Sequence, residues 1–293
     1  MLGLVFRANA RCCKSVPGGF LACDRVRPVT TQGDPPIVDP IVPEYAPDTV
    51  PAAQAPIRWH LRLTALVEVL LCSGFPTQLL LIGLLAVLGM AAIDPSGGLS
   101  LSYIFVLSMA DTVLLLCLIL YLLRRQGEHP AEVFLGTRPT RHEIRFGVIL
   151  IPVVLAVALG GVSLLHYVWP ALRNVPENPF EALLGSPWNA AVFAVVAVVA
   201  GGLREELQRA FVLRRFEQHL GGAWVGLVVF SFAFGLGHAL QGWDAAVVTG
   251  LLGALWGIVY LVRRSVVSTI VSHAGFNVVE IFLALVGISG AAS

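Results

Sequence analysis

Long apolar segments recur along most of this chain and constrain its fold more than any other feature. The 293 residues are 57% hydrophobic and 13% charged, whereas ordinary soluble domains carry about 25% charged residues. A membrane-spanning helix requires about 20 consecutive, mostly apolar residues, and the hydropathy pattern contains about seven such segments. The sequence therefore predicts an all-α polytopic membrane protein, a bundle of about seven transmembrane helices, or eight as the alternative count, with the functional site inside the bundle.

The order of the apolar segments also predicts the orientation of the chain. The first region, residues 63–93, is too long for one upright helix, and we expect Pro76 to kink it or to separate an interfacial segment from the span. Arginines cluster in alternate connections, at 124–145, 214–215 and 263–264. Because basic loops stay in the cytoplasm, this pattern predicts a cytoplasmic N-terminus and an outer C-terminus. The other six predicted spans cover residues 101–123, 146–168, 190–213, 223–240, 245–262 and 266–286.

The first 56 residues differ in composition from the rest. Pro, Asp, Val and Thr dominate residues 28–56, without an amphipathic period. Such a composition is typical of a disordered, partly polyproline segment. We therefore divide the chain into a disordered Pro-rich tail, residues 1–56, and a transmembrane helical domain, residues 57–290. The net charge of +1 gives no bulk electrostatic basis for binding nucleic acid, so the expected surroundings are the lipid bilayer.

Charged side chains interrupt one of the most apolar segments, at Arg204-Glu205-Glu206-Leu207-Gln208-Arg209. A carboxylate at bilayer depth costs at least ~2.5–3.5 kcal/mol, so such residues usually face a polar interior and mark function. On a helix, Glu205 and Arg209 are four residues apart and share a face. An arginine in that place holds a carboxylate ionised and oriented. We expect Glu205 to pair with Arg209 and to activate water, with Glu206 as the alternative.

Two histidines lie downstream in similarly apolar surroundings. His238 ends the segment that begins at Phe234, and His273 shares a helical face with Asn277 four residues later. A carboxylate can act as a general base on water, while a histidine and an amide can donate hydrogen bonds to the oxyanion of a tetrahedral intermediate. A second chemistry stays open, a zinc ion held by His238, His273 and Glu205 with a free position for water.

Each of these polar residues also has a structural interpretation. Glu205 and Arg209 could be an ion pair that ties helices together, and the histidines could be interhelical hydrogen-bond donors. Asp111 and Glu68 are buried-acid candidates on the early spans, and we interpret both as structural rather than catalytic.

The hydrolytic interpretation requires the three clusters to converge at one depth in the membrane. Glu205 and His273 lie seven or eight residues from the cytoplasmic ends of their predicted spans, whereas His238 falls near the outer end of its own. We therefore expect the helix before His238 to begin late, tilt or break, and Gly235 and Gly237 favour a break. The alternative is that the fourth helix enters the membrane at a different depth, with Gly201-Gly202 as its hinge.

The three clusters resemble the motifs of the CPBP family of intramembrane proteases, which includes the type II CAAX prenyl endopeptidases. The family carries a Glu-Glu-x-x-x-Arg helix, a Phe-x-x-x-His helix and a His-x-x-x-Asn helix, in that order. Here the second motif is Phe234 to His238 and the third is His273 to Asn277. The first motif departs from the pattern, because Arg209 follows the glutamates one residue early. The resemblance covers about residues 145–285, which we take as the protease core.

The resemblance implies an intramembrane endopeptidase that cleaves a peptide bond of a membrane-associated or lipidated substrate. It implies that Glu205 activates water with the help of His238, and that His273 and Asn277 stabilise the oxyanion. The family's fold also supports a metal-independent mechanism, so zinc stays an alternative. A prenylated CAAX protein and a bacteriocin-like peptide both suit such a site, and a bacterial-type cell membrane is the expected location. The competing functions are an inactive scaffold or immunity-type protein on the same fold, and a proton-coupled transporter.

Overall fold

The structure is a computed structural model that describes residues 59–287, apart from residues 96 and 177. The predicted disordered tail, residues 1–56, lies outside the described residues, as do residues 288–290 at the end of the predicted transmembrane domain. Within the described part, α-helices make up most of the chain and no strand longer than a single β-bridge is present. The helices are α1 (Trp59–Leu71), α2 (Phe75–Val87), α3 (Leu101–Arg125), α4 (Pro130–Phe134), α5 (Thr140–Val168), α6 (Pro187–Val196), α7 (Glu205–His219), α8 (Ala223–Leu236), α9 (Trp243–Arg263) and α10 (Val267–Leu285).

The first apolar region is a pair of short helices that meet at an angle. α1 and α2 are bent by 41° at a break between Leu71 and Phe75. Gly74 takes a φ of +88° in this break, a left-handed conformation that carries no steric penalty for glycine. Pro76 lies in the first turn of α2, where a missing N–H group is tolerated. The predicted interruption of the first apolar region is therefore present, but the bend lies at the glycine break before Pro76 and not at the proline itself.

α6 and α7 join into one helical path through a π-helical segment, Ala197–Arg204. The Ser186 hydroxyl begins this path by accepting a hydrogen bond of 3.1 Å from the Asn189 N–H, as an N-cap residue does. Such π-helical turns are rare and often mark functional sites. The segment brings the charged residues 204–209 into the interior of the bundle.

α7 is polar in sequence yet lies inside the protein. Glu206, Arg209 and Arg215 are each at most 1% exposed. Charged groups are stable in such a place only when they are paired and hydrogen-bonded, so α7 requires partners from its neighbours. α1, α3, α8 and α9 surround it, and its apolar residues pack with those of α3 in one core cluster. That cluster includes Leu115, Ile119, Leu123, Phe211 and Leu213.

A second core cluster joins α5, α9 and α10. Val154, Leu252, Trp256 and Phe276 form its buried centre. α10 packs along α5 on one side and along the π-helical segment on the other. The position of α10 between these two elements brings His273 close to the glutamates of α7.

Glu68 has the structural role that its sequence suggested. The carboxylate on α1 accepts a hydrogen bond of 2.6 Å from Arg215 Nε of α7, and bonds of 2.7 and 2.8 Å from the Gln126 amide just after α3. Three parts of the chain are therefore joined through one buried carboxylate.

The number of membrane spans is lower, by length and composition, than the sequence predicted. Among the described residues, four helices are long and apolar enough to cross a membrane, namely α3, α5, α9 and α10. The bent pair α1–α2 gives a fifth span if it counts as one. α8 is apolar but has only 14 residues. The structure thus supports an all-α membrane protein, whereas it does not support the count of seven or eight. The difference from seven arises because the predicted fourth span is divided among α6, the π-helical segment and the polar α7, and because α8, within the predicted fifth span, is too short.

Candidate active site

The second glutamate of the charged segment is the most deeply buried group of the site. Glu206 is 1% exposed and forms an ion pair with Arg209 Nη1. Its Oε1 atom also lies 2.9 Å from His273 Nδ1 on α10. The predicted ion pair between Glu205 and Arg209 is therefore wrong. Residues three apart on a helix share a face, as residues four apart do. Glu206 is the glutamate whose carboxylate binds both Arg209 and His273 on that face.

Glu205 lies beside this pair with a different set of contacts. Its Oε1 atom lies 3.2 Å from Arg204 Nη2, and its Oε2 atom lies 3.9 Å from His273 Nε2. The second distance is too long for a hydrogen bond, and polar groups at such a separation are often bridged by water. Since the Glu205 side chain is 15% exposed, it is more accessible than Glu206.

His273 stands between the two glutamates and is held on its face by a tryptophan. The Trp256 ring of α9 stacks on the imidazole with centroids 3.9 Å apart and planes at 17°. Trp256 Nε1 donates to Ser272 Oγ at 3.2 Å. An ionised carboxylate only accepts hydrogen bonds, so the bond with Glu206 puts a proton on His273 Nδ1. The Nε2 atom of the ring then faces Glu205.

His238 follows the end of α8 and is joined to the site through Phe234. Its Nδ1 atom lies 2.9 Å from the Phe234 carbonyl oxygen, which can only accept, so Nδ1 carries the proton. In the neutral ring Nε2 then has a free lone pair. The Phe234 ring lies 4.9 Å from the His238 ring and 6.2 Å, edge-on, from the His273 ring. The helix before His238 ends at Leu236, which agrees with the predicted break near Gly235 and Gly237.

Asn277 lies one turn beyond His273 on α10 and holds the π-helical segment. Its Nδ2 atom donates a hydrogen bond of 2.9 Å to the Ala197 carbonyl oxygen. The close approach depends on two glycines, because a Cβ on Gly201 would lie 2.6 Å from Asn277 Nδ2 and one on Gly202 would lie 2.7 Å from Ala274 Cβ. An amide nitrogen carries two hydrogens, and the bond to Ala197 uses one of them.

Aromatic rings enclose the guanidinium of Arg209. Its central carbon lies 5.2, 4.9 and 5.7 Å from the ring centroids of Phe230, Phe234 and Trp256. Among the described residues, its Nε and Nη2 atoms have no hydrogen-bond partner. Cation–π attraction is favourable within about 6 Å of a ring centroid, and it accounts for the stability of this arrangement together with the ion pair to Glu206.

The sequence-predicted residues are thus brought together to different degrees. Glu206, Arg209 and His273 form one set of direct contacts, and Glu205 lies 3.9 Å from His273. His238 reaches this set through Phe234. Asn277 contacts the helix that carries the glutamates. Glu280, the carboxylate further along α10, is exposed, and within the described part of the chain no hydrogen bond or ion pair joins it to the set. Sequence reasoning missed Trp256, since one aromatic residue within an apolar span gives no signal of the ring that it contacts.

The zinc alternative requires three ligands at one point. Within residues 59–287, apart from 96 and 177, no group of three His, Cys, Asp or Glu side chains has the geometry to hold a metal ion. Glu205 Oε2 and His273 Nε2 face one another, but a third donor does not join them. The side chains as they stand do not fit a zinc site.

One comparison with known proteins finds a match. Residues 187–279 match the family model described as type II CAAX prenyl endopeptidase Rce1-like. The match runs from α6 into α10 and includes all six predicted site residues, while α1 to α5 lie outside it. The resemblance to the CPBP intramembrane proteases is therefore confirmed over this third of the chain, and the family concerned is one of proteases. No curated protein and no solved structure matches the chain.

Proposed function

We propose that this chain, whose residues 187–279 are similar to type II CAAX prenyl endopeptidases, is an intramembrane endopeptidase. It hydrolyses a peptide bond of a membrane-associated or lipidated substrate by water that a glutamate activates. The observation that carries the proposal is the contact of one histidine of α10 with both glutamates of α7. His273 lies 2.9 Å from Glu206 and 3.9 Å from Glu205.

We assign the general base to Glu205 because Glu206 is already occupied. Both Arg209 and His273 bind the Oε1 atom of Glu206, and its side chain is sealed from solvent. Glu205 is partly exposed, and its Oε2 atom points to the same histidine across a gap that one water molecule can bridge. Glu206 and Arg209 are accordingly positioning residues, which hold His273 in place.

The reaction follows from the orientation of these groups. Water bound at Glu205 Oε2 gives one proton to the carboxylate as its oxygen adds to the scissile carbonyl carbon. In this proposal the free Nε2 lone pair of His238, whose ring is joined to the His273 ring through Phe234, accepts a hydrogen bond from the same water. The carbon–nitrogen bond then breaks, the proton passes from Glu205 to the leaving amine, and the products are a carboxylate and an amine. No step requires a metal ion.

His273 and Asn277 are suited to stabilise the oxyanion. The second amide hydrogen of Asn277 is not used by its bond to Ala197, and His273 donates from Nε2 when both ring nitrogens carry a proton. Removing one such donor typically lowers kcat by about 10²–10³. Trp256 supports this role because its ring fixes the plane of the imidazole.

The site lies within helices that we propose to cross the membrane seven times. Besides the five candidate spans, the path α6–α7 and the short α8 would then cross it as well, with the N-terminus in the cytoplasm and the C-terminus outside. Labelling of single cysteines added at residues 126, 219 and 264, on an otherwise cysteine-free background, checks this. All three should react from the cytoplasmic side of sealed vesicles. Labelling of residue 219, at the end of α7 and before α8, from the outer side would contradict the topology.

The catalytic proposal is tested on the full chain reconstituted in liposomes. The probe is an internally quenched, farnesylated peptide that ends in a CAAX sequence. N-terminal proteomics of membranes from cells that express wild type or Glu205→Gln identifies cleavage without assuming a substrate. We expect Glu205→Gln and His238→Ala to lower cleavage by about 10²–10⁴, and His273→Ala by about 10²–10³.

Matched controls distinguish catalysis from folding. Glu181→Gln and His142→Ala change the same residue types at exposed positions outside the site, and both should cleave as wild type does. A chelator of zinc should leave the rate unchanged. If Glu205→Gln, His238→Ala and His273→Ala all cleave normally, the proposed function is wrong.

A further inference from the structure

A buried carboxylate on α3 contacts the helix that carries the glutamates. Asp111 is 1% exposed, and its Oδ2 atom lies 2.6 Å from Arg204 Nη1. The Thr77 hydroxyl of α2 donates to Asp111 Oδ1 at 2.5 Å, and the Gln78 amide donates to Oδ2 at 3.4 Å. The carboxylate of Asp111 thus accepts hydrogen bonds from α2 and forms an ion pair with Arg204.

Arg204 connects Asp111 to Glu205, the proposed general base. Its three guanidinium nitrogens have separate partners: Nη1 binds Asp111, Nη2 lies 3.2 Å from Glu205 Oε1, and Nε donates to the Ala200 carbonyl at 3.2 Å. A guanidinium is planar and presents its donors in a fixed geometry. When Asp111 and Ala200 fix two edges of that plane, the position of the third edge, at Glu205, is fixed as well.

We propose that Asp111 and Arg204 form a positioning pair that orients the carboxylate of Glu205 for water activation. This inference rests on the proposed function. With Oε1 held by Arg204, the Oε2 atom of Glu205 is turned towards His273, at 3.9 Å. Without Arg204, Glu205 would lie close to the carboxylates of Asp111 and Glu206 with no cation of its own.

The pair lies partly outside the region that the family match covers. Asp111, Thr77 and Gln78 belong to α2 and α3, whereas the match begins at residue 187. The helices before the matched region would therefore contribute to the site and not only to its surroundings. A merely structural role for Asp111, as a link between α3 and the π-helical segment, predicts a loss of stability without a change in the chemical step.

The experiment compares kcat, KM and Tm among variants of the full chain in liposomes, with the farnesylated CAAX peptide as the probe. We expect Arg204→Gln to lower kcat at least tenfold with KM changed by less than twofold, and Asp111→Asn to lower kcat by three- to tenfold. Arg204→Lys, which keeps the charge, should recover part of the loss. The double variant should be no slower than Arg204→Gln alone, because both changes act on one path.

Glu68→Gln is the matched control. Glu68 is also a buried carboxylate bound by an arginine, at 2.6 Å, but its network does not include Glu205. This variant should lower Tm and leave kcat unchanged. If Arg204→Gln does not fold, Thr77→Val replaces it in the test. This change removes the Thr77 hydroxyl that donates to Asp111, at nearly constant side-chain volume. We expect kcat to decrease two- to fivefold.

The outcomes separate the inference from the function on which it rests. If Arg204→Gln and Asp111→Asn lower Tm alone, as Glu68→Gln does, or raise KM alone, the inference is overturned while the protease assignment stands. Normal cleavage by Glu205→Gln would instead overturn the assignment of the base, and with it the inference. A selective decrease in kcat with rescue by Arg204→Lys supports both.

Discussion

Gly202→Ala should separate α10 from the helix that carries the glutamates. A Cβ at this position would lie 2.7 Å from Ala274 Cβ and 2.9 Å from Ala274 Cα. Ordinary contacts begin near 3.4 Å, so the two helices must move apart by about 0.7 Å. The Glu206–His273 hydrogen bond, now 2.9 Å, would lengthen to about 3.6 Å, which is no longer a hydrogen bond.

Stability and activity should both decrease as a result. Overpacking of this kind costs about 1–3 kcal/mol, and for a chain of this size each kcal/mol corresponds to roughly 2–4 °C in Tm. A displacement near 1 Å at a catalytic group can lower the rate by about 10²-fold. We expect Tm to decrease by roughly 2–12 °C in a thermal unfolding scan, and kcat on the farnesylated peptide to decrease by about 10²-fold.

Gly160→Ala is the control for the same substitution elsewhere. Gly160 lies inside α5, and no atom lies within 4 Å of a Cβ placed there. Alanine favours a helix over glycine by about 1 kcal/mol, so this variant should have wild-type activity and an equal or higher Tm. If Gly202→Ala matches Gly160→Ala in both Tm and kcat, the close packing of α10 on the π-helical segment does not maintain the site, and the reasoning is refuted.

Three further predictions concern the charged and aromatic groups. Glu206→Gln leaves Arg209 as a buried, uncompensated charge, and the loss of about 3–5 kcal/mol should be measurable as a lower Tm; an unchanged Tm would contradict the ion pair. Trp256→Phe reduces the ring that stacks on His273, and a decrease in kcat of up to about tenfold with constant KM is expected in steady-state kinetics, whereas a change in KM alone would oppose a positioning role. Burial raises the pKa of Glu128, but hydrogen bonds from Arg215 and Arg214 outweigh burial and hold that pKa below its usual value of 4.5. The contribution of Glu128 to stability is therefore present above pH 4.5 and is lost as the pH falls below that value. Glu128→Gln should show a weaker decrease in Tm on acidification than wild type.

The fold could be predicted from the sequence where apolar length decides it. α3, α5, α9 and α10 are long and uniformly apolar, and each agrees with a predicted span to within several residues. The prediction was wrong where length and polarity conflict. The first apolar region is interrupted as predicted, but at Gly74 and not at Pro76, because a proline in a first helical turn causes no kink. Hydropathy predicts one span for the path through α7, since it averages over a window and does not register a π-helical segment or a buried charged face.

The site could be predicted in its residue types but not in its contacts. Glu205, Glu206, His238 and His273 stood out because ionisable groups in apolar segments are costly and therefore few. Which glutamate meets the arginine depends on side-chain torsions and on neighbouring helices, and the sequence contains neither. Asp111 shows the same limit, because a lone acid on an early span does not indicate the partner that it meets 93 residues later.

The contacts also decide how the glutamate–arginine motif corresponds to the family pattern. That pattern has the second glutamate four residues before the arginine, and here the interval is three. An alignment that fixes Arg209 would put Glu205 in the second place and require it to bind Arg209, but Glu205 contacts Arg204 instead. Aligning the glutamates directly gives Glu206 the second place, and Glu206 does bind Arg209. Because intervals of three and four both bring side chains to one helical face, the shifted arginine preserves that ion pair. Glu205 is then left in the first place, with one carboxylate oxygen turned towards His273, as its proposed role in activating water requires.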